Sequence, residues 1–288
     1  MRALALVPLL WGAGACTVVL SPGEPQCEND ADCAARGFEG ASCVDEICSG
    51  GDGTGGADTV WGCLGNVVEP TPDPGQTVKL SVRLAFASDG GPLTSGTVDF
   101  CDKLDIDCTG ESPDFPKGLS PQPDGSVSAD VKQGFDGFVR ISDPEIVDSR
   151  VYVGRPIVEV PKVKEIQLLR PNEYAALAGI AQGMVDETRG TAILLAIDCK
   201  GDSASGVRFE SPNADDESIA FYLINQGPVL PPTATATDKD GFGGFFNLPV
   251  SAAVARSFRE EDDVYIGESS FQVVANTISY VLISPTPQ

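Results

Sequence analysis

Residues 78 to 86 read Val-Lys-Leu-Ser-Val-Arg-Leu-Ala-Phe, and this alternation constrains the fold more than any other feature of the chain. Side chains on a strand point alternately to opposite faces, so a period of two predicts one buried face and one wet face. Further strands are expected at 96–101, 126–131, 137–142, 151–159 and 164–169. Asp89-Gly90-Gly91-Pro92 and Pro123-Asp124-Gly125 supply turns between them. A second series is expected at 191–198, 206–210, 219–225, 233–237, 242–247, 252–256, 270–275 and 277–284. One helix is expected between the series, over 172–183. Asn172 would cap it, Glu173 suits its first turn, and Tyr174, Leu177 and Ile180 would share a face. Short strands, Gly/Pro/Asp turns and a single short helix predict an all-β class.

Composition narrows the chemistry. Formal charge is −23, with 42 acidic and 19 basic residues. That balance repels phosphate backbones and excludes nucleic acid as a partner; solubility of an exported chain accounts for it. The sequence has no histidine. Ser-His-Asp and Cys-His catalysis are therefore excluded, as is any zinc site with an imidazole ligand. The chain is expected not to be an enzyme and to need no cofactor. A hydrolase resting on two facing carboxylates is the remaining catalytic alternative, and no acidic pair in the sequence points to one.

The N-terminus sets the expected compartment. Met1-Arg2 is followed by an apolar run from Ala3 to Trp11 and then by Ala13-Gly14-Ala15-Cys16. This resembles the lipobox of bacterial lipoproteins, with Ala13 where Leu or Val is usual. The resemblance implies a signal peptide over 1–15 and lipidation of Cys16, which would anchor the protein to a membrane. Thr17, in place of the Asp associated with inner-membrane retention, implies sorting to the outer membrane. A short membrane span and an ordinary secretory signal cut after Ala15 are the alternatives, the latter giving a secreted protein.

Eight cysteines remain: Cys27, Cys33, Cys43, Cys48, Cys63, Cys101, Cys108 and Cys199. An even number in an exported chain predicts four disulfides. The first four are spaced C-x5-C-x9-C-x4-C in a stretch, 17–60, that has nine acidic residues and one basic one, Arg36. So short a segment needs covalent staples in place of a core. The text CENDADC...CVDEIC resembles small knots of exported proteins, including myxobacterial surface lipoproteins. First-to-third and second-to-fourth pairing is expected among three connectivities, and a four-thiolate zinc site is the alternative. Cys101 and Cys108 flank an acidic loop and could close a small ring, leaving Cys63 for Cys199; the other two pairings of these four stay open. Gly50 to Gly56 reads as a flexible linker. The expected organisation is a signal peptide over 1–15, a knot and linker over 16–60, a first sandwich over 61–170 and a second over 171–288.

The two strand series resemble one another. LAFASDGGPLTSGTVDF and PDGSVSADVKQGFDGFVRI in the first correspond to LLAIDCKGDSASGVRFE and TDKDGFGGFFNLPVSAAVA in the second. Each has a hydrophobic strand, a Gly-containing turn, Ser-Gly before a short strand, and later an Asp-Gly turn. We read them as tandem copies of one fold. On Asp198-Cys199-Lys200-Gly201, Ser205-Gly206-Val207, Thr237-Asp238-Lys239-Asp240-Gly241 and Asn247-Leu248-Pro249, the second copy resembles the carboxypeptidase regulatory-like (transthyretin-like) domain. That resemblance implies two prealbumin-like antiparallel β-sandwiches, about 190–288 and, more weakly, 76–170. Such domains accompany a separate zinc catalytic domain, which the missing histidines exclude here.

Three constellations have bland and sharp readings. Asp238 and Asp240 are weak calcium candidates, because D-x-D-G opens an EF-hand loop. Residues 242–249 supply no further ligand, so a hairpin turn is expected and no metal site is assigned. The acidic runs 213–217 and 260–263 are expected to be solvated loops, with weak calcium bridging the alternative. Gly241 to Phe246 lacks the Lys-Ser/Thr of a phosphate loop and reads as a bulged strand with core phenylalanines. The expected function is non-enzymatic display of rigid modules, with an unknown protein or glycan partner. A carbohydrate- or peptide-binding protein is the alternative, and it requires exposed aromatics on a concave surface.

Overall fold

The computed structural model describes residues 60–287 except 161–164, 181–183, 226 and 232, together with residues 29, 31, 42–44 and 47–49. The signal peptide, Cys16, Cys27, Cys33 and the linker lie outside the described residues. The chain divides into Met1–Thr59 and Val60–Gln288. In the first unit, β1 (Ser42–Val44) and β2 (Ile47–Ser49) form an antiparallel hairpin with Cys43 opposite Cys48. Cys43 is disulfide-bonded.

The second unit is all-β with one helix. Its first half contains β3 (Thr77–Phe86), β4 (Thr97–Asp102), β5 (Ser126–Lys132), β6 (Gly137–Ser142), β7 (Ser149–Tyr152) and β8 (Glu165–Leu168). The helix α1 (Pro171–Ile180) follows. The second half contains β9 (Gly190–Ala196), β10 (Val207–Glu210), β11 (Ile219–Ile224), β12 (Gly227–Val229), β13 (Phe242–Leu248), β14 (Ser251–Arg259), β15 (Val264–Val273) and β16 (Ile278–Ile283).

The halves repeat one topology. In the first, β5-β3-β8 face β4-β6-β7; in the second, β13-β9-β16 face β10-β14-β15, with β11 and β12 added beyond β13. The repeat extends to single hydrogen bonds. The Leu84 amide donates to Gly125 O and the Leu93 amide to Leu84 O; correspondingly, the Ala196 amide donates to Gly241 O and the Ala204 amide to Ala196 O. Gly125 and Gly241 are the glycines of the two Asp-Gly turns, at φ +82° and +76°. Only glycine enters this region without strain, and a Cβ at either would press on the carbonyl it approaches.

The sandwiches are mixed in direction and not wholly antiparallel as expected. β3 pairs β8 in parallel, β9 pairs β16 in parallel, and β16 also pairs β7 in parallel. The last contact joins the halves into one eight-stranded sheet, β12-β11-β13-β9-β16-β7-β6-β4. Period two then puts the cores on opposite faces of that sheet. Val139, Ile141 and Val151 enter the core covered by β5-β3-β8. Phe138, Tyr152, Leu194 and Val281 face the other way, into the core covered by β10-β14-β15. Beneath α1 a third cluster gathers Tyr174, Ala178, Ile193, Phe221, Phe246 and Ile278.

Several local expectations change. The strand expected at 151–159 stops at Tyr152, ahead of Pro156, which has no amide to donate. The stretch 233–237 is irregular, although Thr237 exchanges two bonds with the start of β10. β12 was unexpected because Gly227 and Pro228 disfavour a strand; it is an edge, where proline costs no ladder bond. β15 begins at Val264 and not at 270, its polar Ser269 being buried against the core. The helix starts at Pro171, so Asn172 lies inside it and does not cap it. Glu173 instead accepts from the Arg170 amide at 2.9 Å, and proline suits the first helical position. Tyr174 and Ala178 are buried, Leu177 is half-buried, and Ile180 is exposed.

Candidate functional site

The sequence places a turn, Trp61 to Gly65, ahead of the first sandwich, and this turn forms one edge of a cleft. Leu64 donates to Trp61 O at 3.1 Å and Asn66 to Cys63 O at 2.8 Å. Trp61 and Leu64 pack against the second core. Cys63 is disulfide-bonded to Cys199 in the turn after β9, with Cα atoms 5.7 Å apart and 136 residues between them in sequence. The Cys199 amide donates to Val60 O at 3.0 Å, and the Cys63 amide to Cys199 Sγ at 3.1 Å.

The other walls come from the two halves. Residues 153–160, leaving β7, run alongside residues 282–285, leaving β16, because those strands are parallel and end together. Arg155 Nη1 donates to Pro285 O at 3.2 Å. The open cleft has a volume of about 550 Å³. Val67, Val68, Ile157, Val160 and Leu282 contribute aliphatic surface. Val68 and Val160 are largely exposed, at 82% and 58%. The charged side chains are Arg155, Glu159, Asp198 and Lys200. Asp198 is committed to its turn, accepting from the amides of Lys200 and Asp202 at 2.8 and 2.9 Å.

The cleft contains no aromatic side chain among its described lining. Among the described residues no phenylalanine, tyrosine or tryptophan is classed as exposed. The stacking platform that sugar binding requires is therefore missing from these residues. Trp61 is packed on the core rather than presented.

The remaining predicted positions are structural in their surroundings. Cys101 and Cys108 are disulfide-bonded, and both are buried. Asp238 accepts from the amides of Asp240 and Asn225 at 2.9 and 2.8 Å, a turn-forming use of the carboxylate. No cluster of three or more metal-ligating side chains occurs among the described residues. The acidic runs are exposed loops, as expected, whose carboxylates also pair with arginines. Arg189 reaches Asp215 at 2.5 Å and Glu217 at 2.6 Å. Its guanidinium, helped by the Ser218 hydroxyl, lowers the Asp215 pKa to about 2. Arg208 pairs with Glu210, Glu260 and Asp263 and lies over the Phe258 ring; Arg259 pairs with Asp262. Phe242 to Phe246 lies in β13, with Phe245 and Phe246 buried and a register shift before Leu248.

The sequence offers these two cysteine pairs as one of three pairings and carries no signal for the cleft. Its walls come from four separate stretches of the chain, and two of them, 153–160 and 282–285, meet because β16 pairs with β7. No local pattern signals that pairing.

No protein-family model and no curated protein matches the chain. Solved structures overlap it loosely. The shaft pilin SpaA of Lactobacillus rhamnosus GG is 13% identical, with 74% of this chain and 98% of that one covered at a TM-score of 0.22. The major pilin subunit BcpA of Bacillus cereus is 11% identical, with 73% and 70% covered at 0.24. The Bacillus anthracis TIE protein is 10% identical, with 73% covered at 0.22, and this chain spans only 34% of its length. Overlaps this loose assign no function.

Proposed function

We propose that the chain is a non-enzymatic exported lipoprotein, held through acylated Cys16 at the outer membrane, whose tandem carboxypeptidase regulatory-like sandwiches form a stiff display module. The observation that carries this reading is the join between the halves. They share an eight-stranded sheet through β7, β16 and β9, and the Cys63–Cys199 staple clamps the entering chain to the second half. A module built this way resists bending, because flexing it would break a parallel ladder buried on both faces. Its role would be adhesion, envelope structure or recruitment of a partner.

The test is intact mass of the protein from its native membrane beside a Cys16→Ala variant. A mature chain beginning at Cys16 and carrying acyl mass, lost in the variant, is the expected result. An unacylated chain released in soluble form would overturn the anchored reading.

The cleft favours one second reading, binding of a peptide. Its aliphatic lining and lack of aromatics fit an extended polypeptide better than a glycan. A peptide array against the purified module, with Val68→Asp as control, separates this from pure display.

A further inference from the structure

The two disulfides of the sandwich unit differ sharply in access. Cys101 and Cys108 are 1% and 4% exposed. Cys63 and Cys199 are each half-buried, and both line the open cleft. Their sulfurs also differ from each other. The backbone amide of Cys63 points at Cys199 Sγ from 3.1 Å, and a hydrogen bond to sulfur stabilises negative charge there.

We propose that Cys63–Cys199 is a thiol–disulfide exchange site for an external dithiol, with Cys63 the sulfur attacked and Cys199 the leaving thiolate. A thiolate of the dithiol attacks Cys63 Sγ, and the electron pair of the Cys63–Cys199 bond departs on Cys199 Sγ. The product is a mixed disulfide between Cys63 and the reagent. The dithiol's second thiolate then attacks its own sulfur in that bond and releases Cys63. The dithiol is oxidised to a disulfide by two electrons, and its two protons end on Cys63 and Cys199. The leaving sulfur is set by the geometry, since a thiolate held by an amide departs faster than one held by none.

Exchange would leave the sandwiches standing. Trp61 and Leu64 remain packed on the second core, and the Cys199 amide still holds Val60 O. What it frees is the cleft wall beyond Cys63, residues 66–70, for which no backbone hydrogen bond to another element is present among the described residues. The staple is thus a latch on the cleft.

The experiment uses the full chain under native conditions, treated with dithiothreitol, quenched with iodoacetamide at intervals and mapped by peptide mass. Cys63 and Cys199 are expected to label at least about tenfold faster than Cys101 and Cys108, the ratio falling toward one in urea. Glutathione, a monothiol with no second thiolate to resolve the mixed disulfide intramolecularly, is expected to be found mainly on Cys63 when iodoacetamide caps the released Cys199 at early times. Equal native labelling rates, or Cys101 and Cys108 labelling first, would overturn the site. Glutathione found mainly on Cys199 would overturn the assigned direction of attack.

Discussion

Tyr152 and Val281 lie level on adjacent parallel strands, one ending the fifth strand of the first sandwich and the other belonging to the last strand of the chain. Both point into the core of the second sandwich. The first half therefore contributes Phe138 and Tyr152 to that core, the Tyr152 ring packing on Phe138 and on Phe271 of the second half.

That pairing predicts one cooperative unit. Ile278, Val281 and Ile283 are all buried, and each contributes about 1.5 to 3 kcal/mol. Their sum is comparable to the whole stability of an ordinary domain. Calorimetry of residues 60–288 should give a single transition, and a chain ending at residue 277 should lose structure in both halves. Two separated transitions in the intact unit would refute the shared-sheet account.

Two glycines should respond oppositely to alanine. At Gly244 a Cβ would drive into the carbonyl oxygen of Ala192 and toward the Phe221 ring. Gly244→Ala should cost about 3 kcal/mol or more, because two central strands cannot separate locally. Gly179 lies in α1 with open space around its Cβ direction. Gly179→Ala should gain up to about 1 kcal/mol. Urea midpoints of the two variants decide the matter.

Acid should act on the loop at 213–218 in a narrow window. The Asp215 pKa is lowered from 3.8 to about 2, first by Arg189. A lowered folded value means the contribution is complete above pH 3.8 and is lost as pH falls toward 2. The Asp215 carboxyl signal in an NMR titration should show a midpoint near 2, moving toward 4 in Arg189→Gln. A wild-type midpoint near 4 would contradict the ion pair.

Alkali should act through buried phenols. Burial raises the pKa of Tyr152, Tyr174, Tyr222 and Tyr280 above the ordinary 10. For raised values the stability is complete below pH 10 and falls as pH rises beyond it, because the unfolded chain ionises first. Tyrosinate absorbance should therefore appear together with unfolding, not before it.

Two of those phenols should be distinguishable by deletion. The Tyr174 hydroxyl bonds Thr191 Oγ1 at 2.6 Å, whereas the buried Tyr280 hydroxyl makes no hydrogen bond of good geometry. Tyr174→Phe should cost about 1 to 2 kcal/mol and Tyr280→Phe close to nothing or less. Equal losses in thermal melts would count against the assignment.

Much of this architecture was legible in the sequence because it is written locally. Alternation in residues 78–86 predicted β3 to within a residue, and the Asp-Gly turns at 124–125 and 240–241 marked equivalent points of a repeated fold. Those signals survive because side-chain period and backbone φ are properties of a few consecutive residues. Strand direction is not such a property: nothing in Ile278 to Ile283 says that it runs parallel to both neighbours. The cleft at Cys63 and Cys199 was equally invisible, since its walls come from four separate stretches of the chain. Sequence alone determined the all-β class, the repeat and the histidine-free chemistry. Tertiary structure decided that the two sandwiches share one sheet, because only the long-range pairing of β16 with β7 and β9 could choose among edges with equivalent patterns.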